Sequence, residues 1–193
     1  MKKRRIFWGA LALCLMLTGC MGGMIQPPET LSDGTPWDGT WVNMAGRVGV
    51  EKPEGFDLLT TNGSLEDMTI QYATWVMGEE TQVEKDTYVY EGQVYLMTEL
   101  CESADQAART AAEWREKMDQ VTVTDRTTVT VDGAELELWH YDCTGTDSHF
   151  SRGITAVWTR GEIVLVADIA RTDSLELDLE KTMTDFLAGF HYA

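Results

Sequence analysis

The chain has 193 residues, and its 32 Asp and Glu residues outnumber its 15 Lys and Arg residues, which gives a formal net charge of −17. An acidic surface of this kind stays soluble and repels nucleic acid and anionic lipid headgroups. We therefore expect neither nucleic-acid binding nor an electrostatic hold on a membrane. The length fits one domain with a sizeable core.

The first 19 residues have the organisation of a secretion signal. Four basic residues, Lys2–Arg5, precede an uncharged apolar run from Ile6 to Leu17. A basic start, an apolar run of about a dozen residues and a small-residue cleavage site are typical of secretory signal peptides. The run is too short to span a bilayer as a helix.

The tetrapeptide Leu17-Thr18-Gly19-Cys20 ends this run. It resembles the bacterial lipobox, in which the cysteine receives a diacylglyceryl group and becomes the first residue of the mature protein. The resemblance implies that Cys20 is lipidated and holds the chain on the extracytoplasmic face of the cell membrane. Two acyl chains give a lasting anchor because each buried CH₂ contributes about 0.8 kcal/mol. The alternative is an ordinary signal peptide in which Cys20 occurs by chance.

We predict three parts: a signal peptide over 1–19, the lipidated cysteine with a flexible tether over 20–36, and a single domain over 37–193. Gly22-Gly23 and Pro27-Pro28, in a stretch without apolar periodicity, are typical of a tether. Cleavage removes four basic residues and no acid, so 11 Lys and Arg remain against 32 Asp and Glu, a net charge of −21. A lipid is therefore the expected anchor.

The first half of the domain is predicted to consist of strands. Trp41–Val50 and Phe56–Thr61 have an extended pattern, and Asn62-Gly63 predicts a hairpin turn because both residue types tolerate positive φ. Glu91-Gly92 predicts a second tight turn. Three further strands are expected before the first helix: Met68–Met77, Thr87–Tyr90 and Gln93–Cys101.

The first helix follows Ser103, whose hydroxyl is expected to accept a hydrogen bond from the amide of Gln106 in a capping box. An Ala-rich stripe can approach a sheet closely and predicts the buried face of this helix. The stripe consists of Ala104, Ala107, Ala108, Ala111, Trp114 and Met118.

Two hairpins are predicted after this helix. The first pairs Val121–Val131 with Ala134–Cys143 around Asp132-Gly133. The second pairs Ile154–Thr159 with Ile163–Ile169 around a turn at Arg160-Gly161. In this last strand the run from Ile163 to Ala167 is apolar at every position, which predicts a central strand that is covered on both faces.

A second helix is expected to start at Asp173, with Glu176 three residues on, and to end at Gly189. Its buried stripe is predicted to be Leu175, Leu179, Met183, Phe186, Leu187 and Phe190. Because both helices need a sheet face, the elements predict an α+β domain, an antiparallel sheet flanked by two helices.

This order of strands, Ala-rich helix, two hairpins and a helix ending in Phe186-Leu-Ala-Gly-Phe190 resembles the Mog1/PsbP-like fold. Over Phe56–His191 the resemblance implies an α/β/α sandwich. Its relatives act as accessory, assembly or binding proteins without a shared active site, so it assigns no functional residue. The Gly-Thr-Trp of Trp37-Asp-Gly-Thr-Trp41 resembles the first strand of small lipid-binding barrels. Two long helical patterns favour the sandwich over the barrel.

Two cysteines remain in the predicted domain, Cys101 and Cys143. In an exported protein an even pair is a disulfide candidate. Strand alternation places Cys101 on the same strand face as Glu99, and Cys143 on the same face as Glu137. Both thiols therefore lie on the less apolar faces, as a bridge between neighbouring strands requires. The alternative is two thiols that are not bridged.

Trp139 and Tyr141 share a strand face with Glu135 and Glu137. Exposed aromatic residues on an acidic sheet face form a candidate binding patch for a partner. The alternative is that a helix covers this face.

His140, Asp142, Cys143 and His149 are close in the sequence and have the chemistry of metal ligands. On a regular strand, however, His140 and Asp142 face one way and Cys143 the other. We therefore predict no metal site and no cofactor. Because the sequence also lacks a Gly-x-Ser-x-Gly, His-Glu-x-x-His or Cys-x-x-Cys motif, no catalytic residue is assigned.

The sequence thus predicts a membrane-anchored extracytoplasmic lipoprotein that acts as a non-catalytic binding or assembly accessory protein. Its partner, a protein or a small molecule, stays unidentified. Two alternatives are a cell-envelope enzyme, which requires titratable groups converging in a deep cleft, and an extracytoplasmic ligand-sensing domain, which requires a closed apolar pocket.

Overall fold

A computed structural model describes residues 30–34, 41–42, 47–63, 69–84, 87–118, 123–131, 133–143 and 148–193. These residues form ten strands and two helices. In chain order they are β1 (Trp41–Val42), β2 (Val48–Val50), β3 (Asp57–Gly63), β4 (Ile70–Glu84), β5 (Thr87–Leu100), α1 (Ala104–Met118), β6 (Val123–Val131), β7 (Ala134–Asp142), β8 (Arg152–Arg160), β9 (Ile163–Arg171), α2 (Leu179–Ala188) and β10 (Phe190–Tyr192).

Seven of the strands form one antiparallel sheet in the order β3-β4-β5-β9-β8-β7-β6. A small antiparallel sheet has the order β1-β2-β10. β9 is the middle strand of the large sheet, and its residues from Ile163 to Ala170 are all buried. The prediction of a central strand covered on both faces is confirmed, because an apolar residue at every position suits a strand that is packed on both sides.

The two helices pack on opposite faces of the large sheet. Ala107 and Ala111 of α1 pack in one buried cluster with Val164 and Val166 of β9. Met183, Phe186 and Leu187 of α2 belong to a separate cluster with Ile163, Leu165 and Ile169, the alternate residues of the same strand. An antiparallel sheet with two helices is therefore confirmed as the fold class.

The cap predicted for α1 is confirmed, and that predicted for α2 is wrong. The Gln106 amide donates to Ser103 Oγ at 3.2 Å. The N-cap of α2 is Asp178, which accepts from the Lys181 amide at 3.0 Å, so this helix begins later than the sequence predicts. Asp173 instead makes an exposed ion pair with Arg152 at 3.3 Å.

Two predicted turns lie inside strands. Gly63 pairs with Gln71 in β3–β4, so no tight turn forms at Asn62-Gly63. Gly92 pairs with both Met77 and Arg171, so β5 runs through the turn predicted at Glu91-Gly92. A Cβ at Gly92 would lie 2.6 Å from Cδ2 of Leu175, which shows that this glycine is needed for close packing and not for a turn.

Both hairpins after α1 are confirmed, with small shifts. Val131 pairs with Ala134 across the first turn, where Gly133 has φ +77°. Arg160 pairs with Ile163, so the second turn comprises residues 161–162, one position later than predicted. Within the described part of the chain, no helix combines the length and apolarity that crossing a membrane requires.

Candidate functional site

A carboxylic acid is buried in the middle of the large sheet. Asp168 of β9 is only 1% exposed and lies on the α1 face of the sheet, because it alternates with the α2-facing residues of that strand. Its neighbours across the ladder are Tyr95 on β5 and Thr155 on β8. Both neighbours are buried as well.

Two hydroxyl groups bind this acid. Tyr141 Oη lies 3.0 Å from Asp168 Oδ1 and 2.9 Å from Oδ2, and Thr155 Oγ1 donates to Oδ1 at 2.5 Å. Among the described residues no basic side chain forms an ion pair with Asp168. A buried carboxylate with only neutral donors is costly, since the hydroxyls replace only part of its hydration.

Gly153 is the residue that allows Tyr141 to reach the acid. It pairs with Tyr141 across β7–β8, and a Cβ at this position would lie 2.2 Å from Tyr141 Oη and 2.3 Å from its Cζ. The same Cβ would lie 2.7 Å from the Ile169 carbonyl oxygen. The phenol ring therefore occupies the space of the missing side chain, crossing β8 to reach β9.

Burial controls the protonation of this group. It raises the pKa of Asp168 from 3.8 to about 6, against the opposite effect of hydrogen bonds from Thr155 and Tyr141. Burial is also the largest cause that raises the pKa values of Tyr141, Tyr95 and Cys143 above their ordinary ranges. Of these four groups, only Asp168 changes its charge between about pH 4 and pH 8.

The cluster can therefore hold and release a proton, but it cannot contact a substrate in this structure. Asp168, Thr155 and Tyr141 are each at most 2% exposed. A general acid or base must reach the reacting group directly or through one water molecule. This arrangement fits a proton-linked conformational role better than catalysis.

The most distinctive surface lies at the β3–β5 edge of the sheet. The described residues include four exposed large hydrophobic side chains, and all four belong to β3, β4 or β5. We call them the apolar edge: Leu58 (40% exposed), Leu59 (45%), Val83 (48%) and Tyr88 (52%). Leu58 and Leu59 lie near the level of Trp75, whereas Val83 is roughly 25 Å further along β4 and lies beside Tyr88.

Part of this edge projects beyond the rest of the sheet. β3 pairs with β4 only as far as Val76, and β9 pairs with β5 only as far as Gly92, whereas β4 and β5 stay paired as far as Glu84 and Thr87. We call residues 78–84 and 87–91 the ribbon. Its base is tied to the domain, because Ser174 Oγ donates to Glu91 at 2.7 Å.

The predicted binding patch at Trp139 and Tyr141 is wrong. Each side chain is only 2% exposed. Trp139 is packed in the cluster that contains Ala107 and Met118 of α1, and Tyr141 lies over Gly153. The two aromatic residues do share a face, but α1 covers only Trp139 there, whereas Tyr141 is buried over Gly153 in a cluster apart from α1.

The predicted disulfide between Cys101 and Cys143 is also wrong, since the two residues are not bridged. β9 and β8 lie between β5 and β7 in the sheet. Cys101 comes directly after Leu100, which pairs with Ile163 at one end of β9. The Cys143 amide donates to the Ser151 carbonyl, and Ser151 lies beside Arg171 at the other end of β9. Opposite ends of a nine-residue strand are roughly 25 Å apart, far beyond the span of a disulfide.

The residues with the chemistry of metal ligands do not converge in the described part of the chain. No group of three or more His, Cys, Asp and Glu converges there. His140 Nε2 lies 2.9 Å from Thr127 Oγ1, and His149 packs edge-on against Phe150. Cys20 lies outside the described residues, so its lipidation stays a prediction.

Sequence reasoning missed Asp168 and Gly153. One signal was present: Asp168 is the single charged residue in Ile163–Ala170, a run that is otherwise apolar. A lone acid in a strand that is buried on both faces predicts a buried polar contact. The sequence offered no comparable signal for Gly153, because its role depends on the residue across the ladder.

Comparisons with known proteins give distant structural likenesses only. No protein-family model matches the sequence, and no curated protein matches it. A crystal structure from Bacteroides thetaiotaomicron is similar over 77% of this chain, with 7% identity and a TM-score of 0.44, and the match spans 46% of that protein. The solution structure of cyanobacterial PsbP (CyanoP) from Synechocystis is similar over 75% of this chain and 98% of its own, with 12% identity and a TM-score of 0.34.

Proposed function

We propose that this chain is a lipid-anchored extracytoplasmic protein that acts by non-covalent binding, as an accessory or assembly protein. The parts are those expected from the sequence: a signal peptide over 1–19, the lipidated Cys20 with its tether to residue 36, and one domain over 37–193. The domain is proposed to be a Mog1/PsbP-like α/β/α sandwich. Helices on opposite faces of an antiparallel sheet support this assignment.

The observation that carries the binding role is a pair of exposed side chains on the projecting ribbon. Val83 and Tyr88 lie close together there, because Tyr88 pairs with Gln82, the residue before Val83. Exposed aromatic and aliphatic side chains gain free energy when a partner removes them from water, at about 25 cal/mol per Å². Tyr88 suits this role because it combines a large apolar ring with a polar end.

Charge indicates the kind of partner. The exposed residues Glu79 and Glu80 lie on the ribbon, and the predicted mature chain has a net charge of −21. A second copy of such a chain is repelled, whereas a partner with a basic rim around an apolar patch is attracted. The proposed partner is therefore a protein with that surface, located on the same side of the membrane.

Site-specific photo-crosslinking in intact cells tests the binding role. Tyr88 is replaced by benzoylphenylalanine in one strain, and Thr128 in a control strain. Thr128 is exposed on β6, the opposite edge of the same sheet. We expect the probe at position 88, and not the probe at position 128, to give one discrete crosslinked product.

A second change makes the result specific. Val83→Ser removes half-exposed apolar surface from the ribbon without altering the core. It is expected to weaken the crosslink from position 88 several-fold, because the lost contact contributes about 1 kcal/mol. Equal crosslinking from positions 88 and 128, or no effect of Val83→Ser, would contradict a binding role for this edge.

A further inference from the structure

The end of the β7–β8 hairpin lies next to Asp168 and packs apart from the rest of the sheet. It consists of residues 141–143 of one strand and residues 151–153 of the other. Tyr141 pairs with Gly153 and Asp142 with Arg152, and the Cys143 amide donates to the Ser151 carbonyl at 2.7 Å. We call these six residues the latch.

The latch is the part of the sheet that closes over the acid. Tyr141 contributes both a hydrogen bond to the Asp168 carboxyl group and the ring that fills the space above Gly153. Tyr141 and Cys143 form a small buried cluster of their own, apart from the two clusters that hold α1 and α2. Residues 141–143 can therefore separate from residues 151–153, which stay paired with β9, without disrupting either main core.

We propose that Asp168 and the latch form a proton-controlled switch, in which loss of the proton from Asp168 opens the latch and admits water to the carboxylate. With the proton in place, the carboxyl group is neutral and its burial between Tyr141 and Thr155 costs little. Without it, the charge has only two hydroxyl donors and no ion pair among the described residues. Opening the latch replaces these two hydroxyl donors with the hydration of bulk water.

Asp168 is the group in this cluster that titrates, because the groups around it do not change their charge. Tyr95 faces it from β5, Tyr141 from β7 and Cys143 from the residue after β7. Burial keeps all three neutral by raising the pKa of each. From α1, the Arg115 guanidinium donates to the Val157 carbonyl at 3.0 Å. The charged residues of the latch itself, Asp142 and Arg152, alternate onto the other face of the sheet.

Hydrogen exchange on the full chain tests the switch. The Cys143 amide reports the latch, and the Leu165 amide on central β9 reports the core. We expect the protection factor of Cys143 to fall about 60-fold between about pH 4 and pH 8, because the pKa of Asp168 is about 6 when closed and 3.8 in water. Leu165 is expected to keep a higher protection factor than Cys143 at both pH values, because its amide exchanges only on global unfolding, whereas the Cys143 amide needs only the latch to open.

Two variants separate the switch from a general loosening of the fold. Asp168→Asn keeps the shape of the side chain and is expected to abolish the pH dependence at Cys143. Tyr141→Phe removes a hydrogen bond that lowers the pKa of Asp168, so it is expected to move the midpoint to higher pH.

Three results would overturn the proposal. The first is a pH-independent protection factor at Cys143, and the second is a protection factor at Leu165 that equals that of Cys143 at both pH values. The third is a midpoint that stays unchanged in Tyr141→Phe, which remains informative if the Asp168→Asn protein does not fold.

Discussion

Replacing Gly153 with Ala is expected to lower the free energy of unfolding by about 3 kcal/mol, the upper part of the range for overpacking a core. The added Cβ would lie 2.2 Å from Tyr141 Oη and 2.7 Å from the Ile169 carbonyl oxygen. The backbone oxygen cannot move without breaking the ladder, so the phenol ring must leave. Its displacement also removes a hydrogen bond from Asp168. Urea unfolding monitored by circular dichroism measures the change.

Gly133→Ala is the matched control. This glycine lies in the β6–β7 turn with φ +77°, and a Cβ there meets no atom within 4 Å. Its replacement is expected to cost only about 1 kcal/mol, the strain of a positive φ. If Gly153→Ala costs no more than Gly133→Ala, the assigned role of Gly153 is wrong.

The stability of the domain is expected to depend on pH through Asp168. Its pKa is about 6 in the folded protein, above the ordinary value of 3.8. A raised pKa means that this group's contribution to stability is complete below about pH 3.8 and is lost as the pH rises through about 6. Asp168→Asn removes the cost of burying the charge, so its advantage over the unmodified protein should grow by about 2.5 kcal/mol between about pH 4 and pH 8.

Measuring both proteins by urea unfolding across this range isolates the effect, since other titrating groups are common to both and cancel. Asp185→Asn serves as a control for the loss of one charge, because Asp185 is an exposed residue on α2. A constant difference between the Asp168→Asn protein and the unmodified protein would show that Asp168 does not titrate between those pH values.

Local sequence patterns predicted the elements whose causes are local. The continuous apolar run from Ile163 to Ala167 identified the central strand, and the Val131–Ala134 hairpin followed from Asp132-Gly133. The Ser103 cap followed from its position three residues before Gln106. In each case the residues that decide the structure are neighbours in the chain.

Errors arose where residues distant in the chain decide the structure. The sequence predicts a turn at Gly92, but the role of this glycine is to make room for Leu175, 83 positions further on. The sequence predicts Asp173 as the helix cap, but Asp178 is the cap, and Asp173 pairs with Arg152, 21 positions earlier in the chain.

The site was less predictable than the fold for the same reason. A bridge between Cys101 and Cys143 requires neighbouring strands, but the β8–β9 hairpin lies between β5 and β7. Strand alternation correctly predicts that Trp139 and Tyr141 share a face. It does not predict that α1 buries Trp139 or that Tyr141 is buried over Gly153, because tertiary packing decides both. The acid cluster requires β5, β7, β8 and β9 in register, which no local pattern encodes.

We propose that a lipid on Cys20 holds an acidic, folded binding domain at the outer face of a membrane. Cells that express Cys20→Ser in place of the unmodified protein test it, by the fraction of the chain that stays in membranes after washing with high salt and carbonate. Cys14→Ser, which lies inside the predicted signal peptide, is the control. We predict that Cys20→Ser releases nearly all of the protein from the membrane fraction and Cys14→Ser releases none. Retention of the Cys20→Ser protein as firm as that of the unmodified protein would contradict the claim.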